Sequence, residues 1–284
     1  MSMFQWVADR FPTERVERSF LLKAVWRTLF ALLRPRAPLV IRTQDYRLHV
    51  DPRRKSIGRS ILRRGGMSRL VTDHFRERVK PGMTVVDIGA NLGHYTMVAA
   101  RAGASVRAYE PDPGTFAELV ANLQLNGFAN VTPVQAAVSD RRGKASFFVD
   151  AANSGGHSLA RENALSPGAA IEVPTVRLDD ELAGGEIDIL KIDAQGAEGQ
   201  ILEGARGTLE RSDAKIYFEF WPLGLVRCGR DPDAVLATLA ELGYRTRIVD
   251  VKRHAFREPR PGEIEEFARG RTYHHVLNFY LERG

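Results

Sequence analysis

The spacing of apolar positions changes along this chain, and the changes divide it. From 14 to 33 apolar residues recur at three- and four-residue spacing, which predicts a helix with Thr13 as its cap and Pro35 as its stop. Segments 39–43 and 46–51 read as a β-hairpin joined at Gln44-Asp45. A basic stretch at Arg53-Arg54-Lys55 leads to a short helical piece near 57–64, a Gly65-Gly66 break and a helix over about 68–78. Pro81-Gly82 then turns the chain into an apolar run at 83–88. Beyond it the pattern alternates: strand 104–109, helix 114–126, strand 131–135, a β-rich excursion at 144–149 and 171–176, and strand 187–192. Helix 198–210, strand 215–220, helix 232–242, strand 244–249 and a last strand at 275–281 complete it. Such alternation specifies an α/β fold with a mostly parallel sheet covered on both faces. The least regular stretch, 150–170, reads as a long polar loop, and loops of this length are often functional. The organisation expected is a basic N-terminal extension over 1–80, with a helix, a hairpin and short helices, and a main α/β domain over 81–284.

The chemistry concentrates where the first core strand ends. Val85-Val86-Asp87-Ile88 runs into Gly89-Ala90-Asn91-Leu92-Gly93 and then the apolar stretch from Tyr95 and Thr96 to Ala100, so strand, tight turn and helix follow directly. The glycines let backbone bend and approach a ligand, and the helix start offers free amide donors. The architecture serves dinucleotides and S-adenosylmethionine alike. A dinucleotide fingerprint needs a second glycine where this chain has Asn91, which argues against a pyrophosphate. Asp87 suits a cationic amino group. Glu110, 23 residues further on and followed by Pro111, sits where a carboxylate accepts from a ribose diol, and Asp112 is a candidate cap for the next helix.

At these motifs the chain resembles the FkbM-type S-adenosylmethionine-dependent methyltransferases. The resemblance rests on Val86-Asp87-Ile88-Gly89-Ala90-Asn91 with Gly93 and Tyr95-Thr96, on Glu110-Pro111, and on Asn122 with Leu125-Asn126. It continues in Ala137-Val138-Ser139-Asp140 with Gly143, and in Ile187 to Asp193 with Gly196-Ala197-Glu198. It covers roughly residues 80–221, about half the chain. It implies a Rossmann-like seven-stranded methyltransferase sheet, with 275–281 as the reversed strand, and the cofactor S-adenosyl-L-methionine. One departure stands out: the family usually writes Asp-Val-Glu-Gly where this chain has Asp193-Ala194-Gln195-Gly196, so an amide replaces a carboxylate.

Ligands of open α/β sheets bind beyond the carboxyl ends of the strands. On that rule Asp87, Gly89, Ala90, Asn91, Gly93, Tyr95, Thr96, Glu110 and Pro111 hold the methionine and ribose parts, and Ala136 and Ala137 border the adenine. Methyl transfer to a hydroxyl also needs a proton acceptor, for which Asp193, His157 and Glu219 are the candidates. Glu219-Phe220-Trp221 sets a carboxylate beside an aromatic wall suited to a sugar ring. A divalent cation on Asp193 and Glu219 is conceivable but not favoured with Gln195 present, and His254 and His274-His275 read as structural.

Composition narrows compartment and partners. Residues 1–80 carry 19 Lys and Arg against 7 Asp and Glu, a net of +12, leaving 22 against 28, a net of −6, in the rest, so the basic character belongs to the N-terminal extension. A single cysteine, Cys228, fits a reducing cytoplasm. The 14–36 segment is too short and too charged to span a bilayer, and is a candidate for peripheral contact with the inner membrane face or for packing on the main domain or a second subunit. Absence of a base-methylating Pro-Pro-aromatic loop disfavours nucleic acid. The expected reaction is O-methylation of a sugar hydroxyl on a small-molecule or glycan acceptor: a glycolipid, polysaccharide or secondary metabolite. The rivals are a nucleic-acid methyltransferase, a non-catalytic cofactor-binding or membrane-associated scaffold and, last, a nicotinamide-dependent reductase.

Overall fold

A computed structural model of the chain describes residues 3–11, 13–53, 58, 61–62, 69–151, 153–270 and 276–284. Thirteen strands are formed among them: β1 Leu39–Arg42, β2 Arg47–Val50, β3 Thr84–Ile88, β4 Ser105–Tyr109, β5 Val131–Val134, β6 Ala137–Val138 and β7 Gly143–Asp150. The remainder are β8 Pro167–Val176, β9 Ile189–Ile192, β10 Lys215–Phe220, β11 Tyr244–Asp250, β12 Ala255–Arg257 and β13 Leu277–Arg283. The main sheet has the order β12-β11-β13-β10-β9-β3-β4-β5. From β5 to β10 the pairings are parallel, and β13 runs antiparallel between β10 and β11. The expected seven strands with one reversed are therefore present. β12 adds an eighth at the edge, paired with β11.

Parallel strands buried on both faces read as continuous apolar runs. In β3, Val85 joins one hydrophobic cluster and its neighbour Val86 the other; Ile189 and Leu190 of β9 divide in the same way. The first cluster unites Val85, Met97 and Val98 with Phe4, Trp26, Ile41, Leu48 and Phe75, so the N-terminal segment covers one face of the sheet. The second buries Ile201, Leu209 and Phe218 under the C-terminal helices. β6, β7 and β8 form a separate three-stranded sheet, the expected β-rich excursion.

Local chemistry sets the helix limits. The predicted 14–33 helix is two, Thr13–Arg18 and Phe20–Leu33, preceded by a third, Met3–Arg10. Ser19 takes extended backbone and its side chain accepts from Leu22 N at 3.3 Å, so a new N-cap interrupts the run; Arg34, in left-handed conformation, ends it. Asp112 caps Pro113–Asn126 by accepting from Thr115 N at 2.7 Å, as its position implied. The predicted 198–210 helix breaks into Glu198–Gly204 and Arg206–Arg211, where Gly204 lies so close to the Ser139 carbonyl that a Cβ would sit 2.0 Å from it. The Gly65-Gly66 break, most of the 57–64 piece and His274-His275 lie outside the described residues. No helix among the described residues is long and apolar enough to cross a membrane.

Gly89 joins the fold to the site. Its φ is +74°, and an added Cβ would lie 1.9 Å from the Asp193 carbonyl oxygen, so the turn after β3 and the end of β9 approach closely only because no side chain intervenes. Gly127, at φ +68°, has nothing within 4 Å of the same virtual atom. Gly89→Ala is therefore expected to destabilise the fold by roughly 3 kcal/mol or more, through clash and strain together. Gly127→Ala should cost only about 1 kcal/mol, the left-handed strain alone. Urea denaturation of both variants measures the difference.

Candidate active site

The carboxyl ends of β3, β4, β9 and β10 surround a cavity of about 280 Å³. Asp87, Gly89, Ala90, Asn91, Tyr95, Glu110, Pro111, Ala136 and Ala137 line it, together with Asp193, His157 and Glu219. Gly93 and Thr96 stand behind the lining. Gly93 starts the His94–Arg101 helix at φ +92°, with a virtual Cβ only 2.6 Å from Leu119 Cδ1. Thr96 is fully buried and donates to Asp87 Oδ2 at 2.6 Å, so it orients the carboxylate.

The first turn is tied to its surroundings through Asn91. Its backbone N–H donates to Glu110 Oε2 at 3.0 Å, and its side-chain amide donates to the Ser154 carbonyl at 3.0 Å. Glu110 also accepts from Asp112 N at 3.0 Å. Burial pushes the Glu110 carboxyl up to about 8, against the lowering effect of these two amides. Asp87 is likewise raised by burial, while Lys191 opposes the shift.

Lys191, between the buried Leu190 and Ile192 of β9, is a charged cavity residue to which motif reading gave no role. It is only 7% exposed, lines the cavity, and places Nζ 3.4 Å from Asp193 Oδ2 and 5.3 Å from the centre of the Tyr95 ring. Burial disfavours its charge, but Asp193, Asp87 and Glu219 outweigh that and hold its ammonium above the ordinary range. The signal was present: a lysine inside a run that is otherwise apolar must find carboxylates, because a lone buried cation is costly.

Gln195 bridges the carboxylates of Asp193 and Glu219 at the ends of β9 and β10. Its amide donates to Asp193 Oδ1 at 2.9 Å and to Glu219 Oε2 at 2.8 Å. Burial alone would raise Asp193, but Lys191 and the Gln195 amide overcome it and hold its carboxyl below the usual range. Glu219 moves the other way, well up, through burial and the facing Asp193. The two shifts run in opposite directions, so Asp193 is the more acidic member of the pair and Glu219 the less acidic. Gln195 itself takes a left-handed φ of +51°, and its carbonyl accepts from Ser158 Oγ at 2.7 Å and Asn163 Nδ2 at 2.9 Å.

Those contacts come from the 150–170 loop, which is tightly organised. The buried Asp150 accepts from Asn153 N and Leu165 N, and its own N–H donates to His157 Nδ1 at 2.9 Å. His157 is therefore the Nε2–H tautomer, a hydrogen-bond donor, and burial lowers its pKa. Two further walls come from afar: Leu48 of β2 and Ile61, both from the N-terminal segment. His94, also in the lining, bonds to Tyr46 Oη and, at 2.8 Å, to Thr72 Oγ1; burial lowers it to about 3, so it is a neutral strut. Phe220 and Trp221, expected to form an aromatic wall, do not line the cavity: Phe220 stacks on Phe279 and Trp221 packs against Gly224. Tyr95 and Phe147 supply aromatic lining instead. Among the described residues no three His, Cys, Asp or Glu side chains are placed to hold a metal ion.

The sheet order and the strand-end carboxylates define a Rossmann-like protein of the methyltransferase class. A sequence profile described as the Methyltransferase FkbM domain matches residues 87–246, more than half of the chain. The chain belongs to the FkbM methyltransferase family. It is 33% identical over 158 residues to the 31-O-demethyl-FK506 methyltransferase FkbM of Streptomyces tacrolimicus, a match spanning 44% of this chain and 60% of that protein. It is 29% identical over 174 residues to the 2-O-methyltransferase NoeI of Sinorhizobium fredii, spanning 51% and 69%. A crystal structure of a methyltransferase FkbM from Methylobacillus flagellatus is 14% identical, with a TM-score of 0.44 over 74% of this chain and 50% of that one.

Replacing the bridging amide tests the asymmetry. Gln195→Glu sets a third acceptor between two carboxylates, so the group takes up protons on folding and its contribution to stability is lost as pH rises. The variant should melt roughly 5 °C below wild type at pH 8, with the gap closing toward pH 5, by calorimetric or fluorescence melting.

Proposed function

We propose that the protein transfers a methyl group from S-adenosylmethionine to a hydroxyl, most simply a sugar hydroxyl of a glycolipid, polysaccharide or secondary metabolite. The observation that carries this reading is the meeting of Asp87, Glu110, Lys191 and Asp193 in one cavity. The lining fits the cofactor by its chemistry. Asp87, held by Thr96, faces a cationic amino group; Glu110 accepts from a ribose diol; Ile88, Ala136 and Val138 offer an apolar wall to a purine. Bound there, S-adenosylmethionine supplies an electrophilic methyl group. The names of both relatives denote O-methylation, which supports a hydroxyl acceptor.

In this reading Asp193 is the proton acceptor. Burial and the facing Asp193 disfavour ionisation of Glu219, and His157 presents an N–H, whereas Lys191 and Gln195 favour the ionised form of Asp193. Its depressed pKa is no obstacle, because the acceptor oxygen becomes strongly acidic as it bonds to carbon. Lys191 and Gln195 fix the carboxylate in place, and the loop carrying His157 excludes water. Residues 1–80 act as the acceptor-side cover of the catalytic domain, through Leu48 and Ile61.

Asp193→Asn should lower kcat by about 10²- to 10⁴-fold and leave cofactor affinity within a few fold of wild type. Asp87→Ala and Glu110→Ala should each weaken cofactor binding and leave the circular dichroism spectrum unchanged. A labelled-donor assay with glycan acceptors, paired with equilibrium dialysis, separates these effects; wild-type affinity in both alanine variants refutes the donor site. Glu110 adds a pH signature. The free protein carries an extra proton between the ordinary carboxylate value and about 8, and a ribose diol favours the ionised form. Affinity for S-adenosylhomocysteine should therefore rise from pH 6.5 to 8 and then level, and this rise should vanish in Glu110→Ala.

A further inference from the structure

The Phe20–Leu33 helix keeps one face turned away from the protein. Trp26 is buried and its indole N–H donates to the Leu62 carbonyl at 2.6 Å, which anchors the inner face. On the outer face Phe20 is 91% exposed, Leu21 71%, Leu32 73% and Val25 47%, with Ala24 and Ala31 between them. Their spacing places them in one stripe along the helix. Lys23 and Arg27 lie one turn apart along its margin, and Arg34 and Arg36 follow its end. Between residues 18 and 44 the chain has no Asp or Glu. The neighbouring Met3–Arg10 helix, joined by the Phe4–Trp26 edge contact, adds an exposed Trp6 with the Arg10 guanidinium 3.9 Å over its ring.

We propose that this face docks on an anionic lipid bilayer, with the apolar stripe entering the headgroup boundary and the cations meeting lipid phosphates. Charge selects this occupant. An interfacial helix pairs exposed large apolar residues with Lys and Arg at the margin, as here. A second copy of the chain is disfavoured, since a two-fold interface would bring the same acid-free basic patches together. The helix is also coupled to the site, because Trp26 bonds Leu62 and the adjacent Ile61 lines the cavity. The docking itself stands apart from the methyl-transfer reading.

Because Trp26 and Phe4 belong to the core, the test uses surface substitutions in the full chain rather than a deletion. Cosedimentation with vesicles of equal parts phosphatidylglycerol and phosphatidylcholine should show binding that pure phosphatidylcholine lacks. Binding should weaken about tenfold or more in high salt, and likewise in a Phe20→Ser, Leu21→Ser, Leu32→Ser variant with an unchanged circular dichroism spectrum. Wild-type tryptophan emission should shift to the blue on adding the anionic vesicles, through Trp6, which reports independently of the variant. No binding to anionic vesicles, or binding unaffected by the three substitutions, would overturn the proposal. So would a wild-type dimer that the substitutions convert to monomer.

Discussion

The site depends on the buried ammonium of Lys191. Asp87, Asp193 and Glu219 converge where three adjacent strands end, and uncompensated carboxylates at that density would be forced to take up protons. β9 lies between β3 and β10, so its lysine contacts Asp193 and sits in the field of Asp87 and Glu219 from the middle of the sheet. It keeps Asp193 ionised, at a separation of 3.4 Å. Gln195 completes the arrangement without adding charge, by donating to both Asp193 and Glu219. The amide that departs from the usual family motif thus has a definite structural use: it joins two acceptors that would otherwise repel.

How much of this was legible in the sequence depended on how local each feature is. β3, its glycine turn and the following helix lie within one short segment, so Asp87, Asn91 and Tyr95 could be assigned from pattern alone, and Glu110 from the next strand end. The core strands were clear because residues such as Val85 and Val86 are buried on opposite faces and leave no polar alternation. What the pattern did not reveal was contact across distance. Leu48 and Ile61 reach the cavity from well before β3, and no periodicity announces that. The 150–170 loop looked irregular because its order comes from one buried carboxylate, Asp150, gathering amides from both its ends. Phe220 and Trp221 looked like a sugar platform by adjacency to Glu219, but Phe220 follows Glu219 directly in β10 and so points to the opposite face, and the strand ends before Trp221. The break at Ser19 shows the same limit: apolar spacing continued, and a capping hydroxyl overrode it.

The two halves of the site accordingly have different origins. The proposed donor half is built by short-range motifs at the ends of β3 and β4. The acceptor half draws on the N-terminal segment, the 150–170 loop and the β9 and β10 ends, and these are the parts in which acceptor selectivity resides in this account. Packing of Phe4, Trp26 and Ile41 into the same cluster as Val85 means that the basic segment completes a face of the sheet as well as facing outward.

Calorimetric titration of the purified protein with S-adenosylhomocysteine, with NADH as control, tests the central claim most directly. The account predicts one-site micromolar binding of the first and no heat from the second. Binding of NADH with none of S-adenosylhomocysteine would contradict it.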